Sequence, residues 1–335
     1  MRRKPSAIGP ARIAAVCVTG RPCTQARFNE QRLELIALVV REISRRGWTE
    51  LDALLFPAGF LRSDAWFGPL HPLDREHELD ASDFADALRF AARRLDRRSP
   101  GCQIIVGLDS RKPNWGFRGD QLVVAFNALG VTGSARKIFP VDGDTHGWGR
   151  APYLLFEHDP GDERRVIRLA NGAEALLSVC YDAFVLSELQ IGPTSKRRAL
   201  RYVSDESDRW RWFERGEADA YLGRLQSLLS RVRPTVHLVS LHGFEAPGRE
   251  LRWQRHGIAS ASAALNGALT VGAGHYNHGL PEDIRTHSLA AQHVGEKHLR
   301  QGPHRRAHVR PAQDGFHVRL PNSRLQALIR LFIER

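Results

Sequence analysis

Cys180 is the residue in this sequence best placed for covalent chemistry. It ends an apolar run, Ala175 to Val179, and is followed by Tyr181 and Asp182. A thiol at a strand-to-helix corner is exposed, and the backbone N–H groups just after it can face a developing oxyanion. A thiolate there needs a cation or a base close by. The residue type alone is ambiguous, because a cysteine in a strand is commonly a small buried hydrophobe. His242 follows another apolar run, Thr235 to Leu241, and His256 lies in the next segment. His242 can contact a substrate or supply a base; the competing reading is a surface or capped histidine. His287, His293, His298, His304, His308 and His317 lack the tight spacing and mixed carboxylates of a metal site, so no metal is expected.

The elements that must position these residues follow from hydrophobic periodicity. Ala11 to Thr19 and Leu51 to Pro57 read as buried strands. Between them, Phe28 to Arg46 places Leu33, Ile36, Val40 and Ile43 on one helical face. That is a β-α-β opening with a helix on the sheet. Ser82 to Arg98 reads as a second helix and Gln103 to Gly107 as a strand. Gln121 to Asn127 and Val131 to Lys137 pair around Leu129-Gly130. Arg165 to Leu169 and Ala173 to Val179 flank Asn171-Gly172, a strong hairpin signal, and the second of these strands runs into Cys180. Ala218 to Val232 and Trp253 to Asn266 are expected helices; Thr235 to Leu241 and Ala268 to Gly272 are expected strands.

From Pro281 the apolar periodicity fades and histidines accumulate. The reading is a domain over 1–281 and a basic tail over 282–335. Leu325, Leu328, Ile329 and Phe332 suit a terminal amphipathic helix.

Composition is that of an ordinary globular chain, with 42% hydrophobic and 26% charged residues. No apolar run approaches the ~18 residues of a membrane span, and Arg12 interrupts any secretory core after the basic start. A cytoplasmic protein without membrane contact is expected. The four scattered cysteines form no C-x-x-C pair, which disfavours a disulfide framework. A net charge of +12 invites a nucleic-acid reading. Arginines are spread along the whole chain, however, and no interleaved aromatics support base stacking, so nucleic acid is not the expected partner.

The stretch from Leu176 through Cys180-Tyr181-Asp182 to Leu189 resembles the nucleophile motif of the nitrilase, or carbon–nitrogen hydrolase, superfamily. Gly133-Ser134-Ala135-Arg136-Lys137-Ile138 resembles that family's lysine motif. Leu54-Leu55-Phe56-Pro57-Ala58-Gly59-Phe60 resembles the strand that carries its glutamate, directly after the proline. The three occur in the family's order, and the resemblance spans most of residues 11–281. It implies a four-layer α/β/β/α sandwich, no cofactor, and a homodimer or higher homo-oligomer.

The resemblance also implies roles. Cys180 would attack an amide or nitrile carbon to form a thioester or thioimidate. Lys137 and the Tyr181 backbone N–H would stabilise the oxyanion. The general base does not carry over, because position 58 is alanine and a methyl group moves no proton. Acid–base assistance is typically worth ~10²–10⁴ in rate, so its loss matters. Asp142 and Asp144, in the loop after Lys137, are candidate substitute acids, as are Asp64 and Glu188; each can equally be a solvated loop acid. Two functional readings stand. One is a hydrolase of a small amide or nitrile. The other is a catalytically impaired relative that binds a small ligand or partner.

Overall fold

The structure is a computed structural model. It describes residues 9–63, 84–110, 121–138, 160–184, 186, 201–203, 210–212, 215–244, 246, 248–280, 289–293, 308–312 and 315–335. In chain order the elements are β1 (Arg12–Thr19), α1 (Asn29–Arg45), β2 (Ala53–Leu55), β3 (Leu61–Ser63), α2 (Ala85–Asp96), β4 (Gln103–Ser110), β5 (Gln121–Phe126), β6 (Val131–Arg136), β7 (Val166–Arg168) and β8 (Glu174–Val179). There follow β9 (Arg201–Val203), β10 (Trp210–Trp212), α3 (Arg215–Val232), β11 (Val236–Ser240), α4 (249–264), β12 (Leu269–Ala273), β13 (His275–Tyr276), β14 (Ala290–Ala291), β15 (Phe316–Arg319) and β16 (Gln326–Ile333).

Two large sheets carry the molecule. One has nine strands and runs β15-β16-β1-β2-β4-β5-β6, with β13 joined to β1 and β3 to β4. The other has five and runs β14-β12-β11-β8-β7. Strands β9 and β10 pair separately. Alternation along the strands sorts side chains into three cores. On β1, Ala14, Val16 and Val18 pack outward with Leu35, Ile36, Val39 and Val40 of α1 and Leu88 of α2. Ile13 and Ala15 point inward with Leu55, Ile105 and Val123, against Leu177, Val179, Leu238 and Val271 of the second sheet. The second sheet's outer face holds Leu176 and Val239 against Leu222 and Leu225 of α3 and Ile258 and Ala261 of α4. Helix, sheet, sheet and helix therefore stack as an α/β/β/α sandwich, each interface closed by the period-2 and period-3.6 patterns visible in the sequence.

The C-terminal segment differs from the sequence reading. Residues 326–333 are not a helix. They form strand β16, antiparallel to β1 from Arg12–Ile333 to Val18–Ala327. Residues 316–319 add β15 beside it, and Ala290–Ala291 join β12 of the second sheet. The spacing of Leu325, Leu328, Ile329 and Phe332 satisfies a helical template. Yet Ala327, Ile329 and Leu331 enter the core under α1 and α2, while Leu328 joins the core beside α3 and α4 and Phe332 the core between the sheets. A segment buried on both faces reads as a continuous apolar run, and periodicity alone does not separate it from a helix. The segment 282–335 is thus integral to both sheets where it is described. Among the described residues no helix is long and apolar enough to cross a membrane.

Candidate active site

The candidate residues gather where parallel strands end. β8, β11 and β12 run parallel in register, with Val179 opposite Ser240 and Ser240 opposite Ala273. Cys180, His242 and His275 therefore emerge at one edge of the five-stranded sheet. In the other sheet β2 and β4 are parallel, which brings Ala58 and Asp109 to the matching edge. The carboxyl ends of parallel strands are where α/β folds place their ligands. A backbone bond joins the two edges, Ala58 N–H donating to the Leu241 carbonyl at 3.1 Å, and within the five-stranded sheet Cys180 N–H donates to the Ser240 carbonyl at 2.7 Å.

Cys180 has a left-handed backbone, φ +49°. For a non-glycine residue this costs on the order of 1–3 kcal/mol and persists only where surroundings enforce it. The turn that follows is helical at 182–184, with Ala183 N–H donating to the Cys180 carbonyl. Asp182 anchors the turn by accepting the Ile138 N–H at 3.0 and 3.1 Å. That bond ties the Lys137 segment to the turn at Cys180. Lys137 is buried directly after β6. Tyr181 stacks on Phe184, which meets the Trp253 ring edge-on. Trp253 opens the widened π-helical stretch of α4, Trp253–Ile258.

His242 is the residue that Cys180 and a carboxylate share. Its Nε2 bonds Asp109 Oδ1 at 3.1 Å, and Cys180 lies near enough for its charge to act on the ring. With Nε2 taken by Asp109, Nδ1 is the nitrogen left for the sulfur. It makes no close, aligned bond; catalytic contacts commonly tighten only with substrate bound. Burial alone would lower the imidazole's pKa. The charge of Asp109, its hydrogen bond, and the Cys180 thiol outweigh burial and carry it up to about 9. His237, on β11, is a contrast. It faces the Ser178 hydroxyl at 2.9 Å, and burial pushes it down to about 3.

Asp109 was not legible as a site residue. Its only sequence signal is an acid closing the apolar strand Ile104 to Leu108. Its place depends on two glycines. A Cβ on Gly59, whose φ is +59°, would lie 2.7 Å from Asp109 Oδ2. A Cβ on Gly107 would lie 2.2 Å from Ala58 Cα. The backbone at Ala58 thus passes against β4, and the carboxylate from β4 sits beside Gly59. Ala58 itself is fully buried in the apolar inter-sheet core that also includes Cys180. His256 is exposed on α4. Asp64, Asp142, Asp144, Glu188, His287, His298 and His304 lie outside the described residues.

No family model and no curated protein matches this chain. Among solved structures it is similar to an amidase from Nesterenkonia sp., with 16% identity over 97% of this chain and 91% of that one, TM-score 0.44. It is similar to a double mutant of that amidase in complex with acrylamide, with 17% identity over 97% and 92%, TM-score 0.45. A cysteine-to-serine mutant of the Nesterenkonia AN1 amidase from the nitrilase superfamily matches at 17% identity over 79% and 77%, TM-score 0.43. At these values the chemistry rests on the side chains themselves.

Proposed function

We propose that this chain hydrolyses a non-peptide carbon–nitrogen bond of a small amide or nitrile through a covalent intermediate on Cys180. In this reading His242 and Asp109 supply the proton transfer that a carboxylate at position 58 would otherwise perform. The observation that carries it is the line Asp109–His242–Cys180, running from a buried carboxylate through a raised imidazole to a thiol on a strained turn.

The chemistry follows the order of protons. An imidazolium beside a thiol favours the thiolate, the nucleophilic form. The sulfur attacks the amide carbon, and the oxyanion develops toward the Tyr181 N–H and the Lys137 ammonium. His242 gives its proton to the departing nitrogen, and ammonia or an amine leaves the thioester. Neutral His242 then takes a proton from water as the water attacks the acyl carbon. The tetrahedral adduct expels the thiolate and releases the acid. Asp109 holds the ring and offsets its charge at each stage, as the carboxylate does in Ser-His-Asp systems.

The test is ammonia release across an amide and nitrile panel, with mass spectrometry of Cys180. Wild type is expected to accumulate an acyl adduct and turn over. His242→Gln is expected to lose about 10²–10⁴ in rate. Absence of adduct and product in wild type overturns the hydrolase and leaves the ligand-binding reading, which the apolar surroundings of Ala58 favour.

A further inference from the structure

Two exposed apolar side chains and a run of arginines meet on one face of α2. Phe90 on that helix is 58% exposed, and Leu129, at the tip of the turn between β5 and β6, is 93% exposed. Phe90, Arg93, Arg94 and Arg97 follow the i, i+3, i+4, i+7 spacing of one helical face, and all four are exposed. Arg93 Nε–H donates to the Ala128 carbonyl at 3.5 Å, which sets the turn beside the stripe. Arg94 lies over the Phe90 ring, 5.8 Å from its centre. Arg98 is exposed just beyond the helix.

The turn that carries Leu129 is braced. The Asn127 side-chain oxygen accepts the Leu129 N–H at 2.8 Å and the Gly130 N–H at 3.2 Å. Leu129 is thus held outward before any surface meets it, which lowers the ordering cost of a contact. The arginines are uncommitted as well. Among the described residues none of Arg93, Arg94, Arg97 and Arg98 forms an ion pair. Two acids lie beside them: Asp96, which accepts the Gly101 N–H at 2.7 Å, and Glu50, whose N–H donates to the Arg98 carbonyl. Elsewhere on the two helices Glu42 pairs with Arg45 and Asp86 with Arg89. This end of α2 is therefore positive. A single exposed apolar side chain means little, but two of them flanked by free guanidiniums make an amphipathic patch. Nucleic-acid phosphates would satisfy the arginines and leave the aliphatic tip at Leu129 without a partner. An anionic bilayer takes both parts.

We propose that this face docks reversibly on a bilayer of anionic lipid. Phe90 and Leu129 enter the headgroup boundary, and Arg93, Arg94, Arg97 and Arg98 meet lipid phosphates. The expectation of no membrane contact rested on the lack of a spanning run, which a surface contact does not need. The patch sits at the amino end of β4, because Phe126, just before the turn, pairs with Ile104. Asp109 is at the other end of that strand, about 20 Å from Gln103 at ~3.3 Å per residue. Docking leaves the Cys180 edge facing away from the lipid.

Co-sedimentation of the full-length chain with vesicles tests the contact. Vesicles of phosphatidylglycerol and phosphatidylcholine in equal parts are compared with phosphatidylcholine alone. Wild type is expected to bind the anionic vesicles about tenfold or more tighter. The triple variant Arg94→Gln, Arg97→Gln, Arg98→Gln is expected to lose about tenfold or more of that affinity. The double variant Phe90→Ser, Leu129→Ser is expected to lose about tenfold. Both variants alter exposed side chains only and are expected to melt as wild type does; should either not fold, Arg97→Gln or Leu129→Ser alone replaces it, with a smaller loss expected. Equal binding to the two kinds of vesicle overturns the proposal, as does full binding by the arginine variant. Full binding by the apolar variant makes the contact one of charge alone and overturns the bilayer as its occupant. Retention on double-stranded DNA without vesicle binding overturns it likewise.

Discussion

His242 Nε2 lies 3.1 Å from Asp109 Oδ1, a bond that joins the end of a strand in one sheet to the loop after a strand in the other. The two residues are 133 positions apart. Asp109 is buried and His242 half-buried, and each gains its character from the other: the carboxylate holds the ring charged, and the ring leaves the carboxylate paired.

The first consequence concerns thiol reactivity. Cys180 is the most exposed of the four cysteines at 9%, against 0% for Cys17, 3% for Cys23 and 1% for Cys102. Burial pushes the Cys102 thiol well above its ordinary range and raises Cys23 as well. Limited iodoacetamide is therefore expected to alkylate Cys180 first, by at least an order of magnitude in rate. Peptide mass mapping reads the order directly, and His242→Gln is expected to slow it.

Stability should carry the signature of the pair. Folding raises His242 from 6.5 to about 9. A raised imidazole contributes stability that is full below the unfolded value and is lost as pH climbs through the folded one. Wild type is thus expected to lose on the order of 3 kcal/mol between about pH 6.5 and about pH 9 from this group. In Asp109→Asn the ring returns toward neutrality, and denaturant midpoints across that window should flatten. A wild-type profile as flat as the variant's would refute the coupling.

Restoring the missing carboxylate is expected to harm this protein. Ala58 has no exposure and its backbone abuts Gly107, while Asp109 already occupies the space beside Gly59. Ala58→Glu would overpack the site and place a second carboxylate near Asp109. Overpacking alone typically costs about 1–3 kcal/mol. A lowered melting temperature and no gain in ammonia release are expected; a gain in turnover would show that His242 is not the working base.

Truncation tests the C-terminal strand. A chain ending at Pro321 loses β16, which buries Leu328, Ile329, Leu331 and Phe332 and pairs with β1 along its length. At about 1.5–3 kcal/mol for each such side chain, the loss is comparable with total stabilities of about 5–15 kcal/mol. The truncated chain is expected to show no cooperative thermal transition. An independent domain ending near residue 281 would instead melt normally.

Sequence by itself determined the layers and the corner at Cys180. Alternation in β1, β4 and β8 and the 3.6-residue spacing in α1 and α2 are local consequences of which face each element buries. The corner after Val179 was legible for the same reason, since an apolar strand that stops at Cys-Tyr-Asp must turn there. Tertiary structure alone decided the rest. The segment 326–333 is a strand because β1 offers an open edge with apolar cores on both faces, a fact about its neighbours and not about its own spacing. His242 was legible as a candidate base, but its pairing with Asp109 was not, because Asp109 carries an ordinary local pattern. Only the packing of two sheet edges, with glycine at 59 and 107, brings a carboxylate and an imidazole to the cysteine in place of a side chain at position 58.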